Sequence, residues 1–182
     1  LHFDLDPVPG ATFAKVRQTA LLVRELLEAL GMPVFVKTTG SKGMHLYVPI
    51  VRGPTQKQVW TFAKAFALEV ERRAPELVTA VYEVARRPRG RVLVDYNQNR
   101  SGSTLASVYS VRPRPKATVS TPVTWDEVEA GVEIDDFTVH NVPARVERLG
   151  DLWIPARDGT RFDLRPLVEP AARLLKGAGA SR

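Results

Sequence analysis

Cysteine is absent from this chain of 182 residues. That excludes disulfides and thiolate metal centres and fits a reducing cytoplasm. Long apolar runs are missing as well: nothing approaches the ~18 consecutive apolar residues of a membrane helix, so no membrane is expected among the partners. There is no internal repeat. Acid is scarcer than base, 20 residues against 26, leaving a net charge of +6. A basic surplus favours anionic partners, nucleic acid first among them, although a chain in which arginine far outnumbers lysine also arises from a GC-rich or thermophilic source. What remains is ordinary for a globular domain, with 44% hydrophobic and 25% charged residues.

The stretch with the strongest pattern is Leu1-His2-Phe3-Asp4-Leu5-Asp6. Successive side chains of a strand point to opposite faces. Asp4 and Asp6 therefore share one face, and Phe3 and Leu5 the other. Two acids side by side repel, and a divalent cation with a taste for hard oxygen, Mg²⁺ or Mn²⁺, would relieve that. Two solvated acids on an exposed strand would read the same way. Because the chain opens inside a strand-like segment, further sequence upstream is expected.

Downstream, Phe13, Val16, Ala20, Val23, Leu27 and Leu30 fall on one face of a helix over about 12–30, ended by Gly31 and Pro33. Residues 33–39 and 44–50 read as two strands joined by Gly40-Ser41-Lys42-Gly43. Such a tip can aim backbone N–H groups and an ammonium at a phosphate chain. It is not a Walker A loop, because the spacing differs and no helix follows. Thr55-Gln56-Lys57-Gln58 is a capping box for a helix over about 55–73. Residues 77–84, 91–96 and 103–110 read as strands. Asp95 ends the second of these, on the face of Leu93 and opposite Val92 and Val94. Two basic stretches, 86–91 and 112–116, offer Arg87, Arg89, Arg114 and Lys116 as phosphate contacts. A helix start is expected at Thr124-Trp125, and further short helices over 138–149 and 165–176. Too many strands follow one another without a helix for a doubly wound sheet.

Taken in order, Asp4-Leu5-Asp6-Pro7, Thr39-Gly40-Ser41-Lys42-Gly43-Met44-His45, Val92-Leu93-Val94-Asp95-Tyr96-Asn97-Gln98-Asn99 and Tyr109-Ser110-Val111-Arg112 resemble the archaeo-eukaryotic primase superfamily. The resemblance is closest to the polymerase domain of bacterial ligase D and runs on through Ser120–Val128. It implies an α+β, RRM-like catalytic module: a mixed, largely antiparallel sheet packed by helices, with short C-terminal helices. It implies that residues 1–182 are the catalytic part of a primase-polymerase domain lacking the family's N-terminal module, which holds the 5′-phosphate of a break. It further implies that Asp4, Asp6 and Asp95 hold two Mn²⁺ or Mg²⁺ ions. Thr39, Ser41, Lys42, Gly43, His45 and Arg112 match the family's triphosphate contacts, and Gln98 falls near the nucleotide or the primer end. The expected partners are DNA ends or a primer–template, nucleoside triphosphates, Ku and a ligase domain, in the cytoplasm at the nucleoid. Two departures stand out: Thr39 replaces a usual serine, and Pro88, between Arg87 and Arg89, replaces a usual basic residue. A standalone primase and a DNA-end-binding module with degenerate catalysis are the alternatives.

Overall fold

The structure is a computed structural model that describes residues 1–179. Six strands form one sheet: β1 (His2–Pro7), β2 (Phe35–Thr38), β3 (Met44–Tyr47), β4 (Val78–Thr79), β5 (Val92–Asp95) and β6 (Pro122–Val123). Their spatial order is β4-β5-β1-β3-β2-β6. Every pairing is antiparallel except that of β4 with β5. This is the mixed α+β architecture that the sequence implies.

The alternation in β1 decides which face is which. Phe3 and Leu5 are fully buried beneath α1 (Phe13–Glu28) and α2 (Gln56–Arg73). Val16, Ala20, Val23 and Leu27 of α1 join that core, as do Phe62 and Phe66 of α2, and the Phe3 and Phe66 rings lie 5.0 Å apart. Both helices start as the sequence predicts: Thr12 caps α1 through Lys15 N, and Thr55 and Gln58 form the reciprocal box that opens α2. The opposite face of β1 carries His2, Asp4 and Asp6. The shorter helices α3 (Trp125–Ala130), α4 (Val142–Leu149), α5 (Ile154–Asp158) and α6 (Arg165–Gly179) follow.

Two expectations need correction. Residues 103–110 form no strand; the segment is irregular, and none of it is buried. Tyr109 has φ 61°, a left-handed conformation that breaks an extended run, and only isolated pairing, such as Val111 with Val119, survives beyond it. The strand over 77–84 shrinks to Val78–Thr79. Glu71 of α2 accepts hydrogen bonds from Thr79 Oγ1 and Ala80 N, which takes the next backbone donor out of the ladder. The short helix expected within 138–149 is present as Val142–Leu149, and α5 was not anticipated.

Candidate active site

Strand pairing assembles the acids. Asp4 of β1 lies directly opposite Asp95 of β5 on one side and His45 of β3 on the other. His45 in turn faces Lys37 of β2. One row across the sheet thus reads Asp95, Asp4, His45, Lys37, and Asp6 sits two residues along from Asp4. Opposed cross-strand residues have Cβ atoms about 5 Å apart, so the two outer acids are neighbours although 91 positions separate them in the chain.

The environment is hostile to their charges. Asp4 and Asp95 are almost fully buried and Asp6 is half-buried. Burial pushes the Asp4 carboxyl up to about 6, with the Lys37 charge opposing it. Asp6 is also pushed up to about 6, first by burial and then by the negative charges of Asp4 and Asp95. Burial raises Asp95 too, against the hydrogen bond it accepts from Asn97 N at 2.7 Å. His45 goes the other way: burial, then Lys37 and Arg112, hold it down to about 3, so the imidazole is neutral at pH 7. Its Nε2 lies 3.3 Å from Asp4 Oδ1, yet Asp4 Oδ1 and His45 Nδ1 are both buried without a hydrogen-bond partner. A buried unpaired carboxylate oxygen calls for a missing partner.

Among the described residues, no three His, Asp or Glu side chains already converge as a metal cage. The donor chemistry nevertheless fits hard divalent cations: three carboxylates on one face, all three with raised pKa, and one orphaned oxygen.

The hairpin tip behaves differently from the simple expectation. The N–H groups of Ser41, Lys42 and Gly43 do not point outward. All three donate to Thr39 Oγ1, at 3.2, 3.2 and 3.1 Å. Thr39 therefore organises the loop into a nest, and the outward donors are side chains. Lys42 has no ion-pair partner among the described residues. Gly43 passes so close to β1 that a Cβ there would overlap the Leu5 carbonyl oxygen and lie 3.2 Å from Asp6 Oδ1. A cavity of about 210 Å³ joins Asp4, Asp6, Thr39, Ser41, His45 and Arg112, and Thr104–Ala106 close it. Arg112 Nε is buried there without an acceptor. A second cavity, about 220 Å³, holds Asp95, Asn97, Gln98 and Arg100.

The remaining cations divide. Arg87 donates to the carbonyls of Val81 and Tyr82, and its charge favours the ionised forms of Asp6 and Asp95. Arg114 donates to Ser41 Oγ at 2.5 Å. Lys116 is paired with Asp135 at 2.6 Å, and Arg89 is exposed. Sequence reasoning missed Asn97, which holds Asp95 and is itself held by Trp60 Nε1 at 3.1 Å. It also missed Asn99, whose side chain brackets the His2 backbone at 3.0 and 2.7 Å and ties the loop after the third acid to the strand of the first two. No local signal marks either contact.

The model of the LigD primase-polymerase domain matches residues 1–153. The chain belongs to this family. It is 37% identical over 153 residues to the multifunctional non-homologous end joining protein LigD of Mycolicibacterium smegmatis, covering 84% of this chain and 20% of that protein. It is 30% identical over 173 residues to the bifunctional LigD of Bacillus subtilis, covering 94% and 27%. The chain thus spans about a fifth to a quarter of the curated relatives it matches. Among solved structures, the polymerase domain of Mycobacterium tuberculosis ligase D in complex with DNA superposes with a TM-score of 0.78 at 36% identity, covering 85% of this chain and 53% of that one. The LigD fold and the family expected from the four motifs are thereby shown.

Proposed function

We propose that this LigD polymerase module adds nucleotides from a triphosphate to a primer 3′ end during the joining of DNA breaks. The observation that carries the reading is the cross-strand meeting of Asp4 with Asp95, where Asp4 and Asp6 line a cavity shared with Ser41, His45 and Arg112 and Asp95 lines the neighbouring one. Asp4, Asp6 and Asp95 would hold two Mn²⁺ or Mg²⁺ ions. Such ions would supply positive charge to the attacking and leaving oxygens and lower the pKa of the primer hydroxyl.

The chain's own groups do the rest. Arg112, with its unpaired Nε, and Lys42 take the triphosphate oxygens, and Ser41 adds a hydroxyl. Neutral His45 gives an N–H to a phosphate oxygen without adding charge to the row. These donors meet the charge that spreads over the phosphates as transfer proceeds. Asn97 fixes the Asp95 carboxylate, and the cavity with Asn97, Gln98 and Arg100 takes the primer terminus. Arg87, pinned by two carbonyls beside Asp6 and Asp95, supplies the basic charge that Pro88 does not. Arg89 and Arg114 serve the DNA backbone; Lys116 does so only by releasing Asp135. The DNA in the solved relative supports the choice of polymer. Ku and a ligase domain are the proposed partners, with the work done at the nucleoid. No helix among the described residues is long and apolar enough to cross a membrane.

Primer extension by the full-length protein, with labelled ATP and Mn²⁺, tests this. Asp95→Ala is expected to reduce extension to background. Extension equal to the parent's would sink the metal assignment. Products made without a primer would favour a primase, and salt-sensitive DNA binding with no extension would favour an end-binding module.

A further inference from the structure

Lys37 is fully buried, yet among the described residues it forms no ion pair. Its Nζ donates to Ser120 Oγ at 2.5 Å, and Ser120 Oγ donates to the Thr38 carbonyl at 3.0 Å. A neutral hydroxyl is poor compensation for an ammonium taken out of water, and a methionine or leucine would fill the same slot without that cost. A buried charge with no ion-pair partner calls for another reason to be there.

Its position supplies one. Lys37 faces His45 across the β2–β3 pair and precedes Thr39, which organises the hairpin nest, by two residues on the same side of the strand. The charged and titratable groups around it are His2 and Asp4 on β1, His45 on β3 and Arg112. His45 and Arg112 line the donor cavity, so the ammonium lies behind the wall on which the phosphates would rest.

We propose that Lys37 is a positioning charge for the polyphosphate. It strengthens binding of a triphosphate over a monophosphate from beneath the hairpin, without touching either. This rests on the triphosphate reading of the cavity. Charge acts at such range because the space between is dry protein rather than water, and the attraction grows with the number of phosphates. Burial draws the Lys37 pKa down to about 7, and an arriving polyanion shifts that balance back toward the ammonium.

The test is equilibrium binding of ATP, ADP and AMP to the full-length protein with Mg²⁺ and no primer, so that nothing turns over. Lys37→Met is expected to weaken ATP about tenfold and AMP less than about twofold, with ADP between, as a lost charge acting at a distance would. Its melting temperature should equal or exceed the parent's, because an unpaired buried charge has gone. Ser120→Ala keeps the ammonium but removes its acceptor; it should lower the melting temperature and preserve the preference for ATP over AMP. An unchanged preference in Lys37→Met, an equal loss of all three nucleotides with reduced stability, or a failure of that variant to fold would each overturn the inference. A parent protein that does not prefer ATP to AMP would instead remove the triphosphate reading itself.

Discussion

Asp4→Asn is expected to stop nucleotide addition and, in the metal-free protein, to raise the melting temperature. The two effects have one cause. In the fold, burial raises the Asp4 carboxyl from 3.8 to about 6, and Asp4 helps to raise Asp6 to about the same value. The fold thus favours the protonated acid. The resulting strain is absent below the unfolded value, grows as pH rises toward 6 and is complete above it. At pH 7 a neutral amide removes part of this strain, of the order of 1 kcal/mol or more. For a domain of this size that is a rise of about 2–4 °C. The difference between variant and parent should vanish as the pH is lowered to about 4. Activity should fall about a thousandfold or more, because one ligand of the two-ion clamp is gone. Thermal melts in chelator across that pH range, beside primer extension at pH 7, check both halves. A variant less stable than the parent at pH 7 would mean that the acids are satisfied in the fold without cations.

Gly43→Ala should do the most structural damage of any single methyl group near the site. The reason is close approach rather than backbone angle. A Cβ at Gly43 overlaps the Leu5 carbonyl oxygen, and Leu5 is the fully buried residue between Asp4 and Asp6. The alternative to the clash is a shift of β3 away from β1, and β3 carries His45 while β1 carries the acids. Backbone overlap of this kind costs about 3 kcal/mol or more, a fall of about 6–12 °C in melting temperature. Whatever folded protein remains should bind ATP far more weakly than the parent. A variant with the parent's melting temperature and ATP affinity would show that hairpin and acidic strand are not held against each other as described.

The legible part of the site was its chemistry. Alternation of Phe3 and Leu5 with Asp4 and Asp6 was enough to put the acids on one face, and the strand over 92–95 was enough to give Asp95 a defined side. The motif order then pointed to the family. What could not be read was register. Nothing local says that Asp4 faces Asp95 rather than Leu93, because that depends on β5 pairing with β1 across most of the chain. The direction of the hairpin amides was hidden for a related reason: glycines, a hydroxyl and a lysine suggest donors facing outward, but a single Thr39 oxygen gathers three of them inward. Lys37 looked like an ordinary strand lysine between Val36 and Thr38. Its burial comes from Ser120, Arg112 and their segment, 75 or more residues away. The false strand at 103–110 is irregular throughout, and near its end Tyr109 has a left-handed backbone that no alternation pattern reveals.

Titrating Mn²⁺ into the metal-free full-length protein with ATP, read by the loss of the free-ion paramagnetic signal, tests the central claim most directly. The account predicts two bound ions per chain in the parent and a clear loss of binding in Asp4→Asn, Asp6→Asn and Asp95→Asn alike. Binding unaffected by all three substitutions would contradict it.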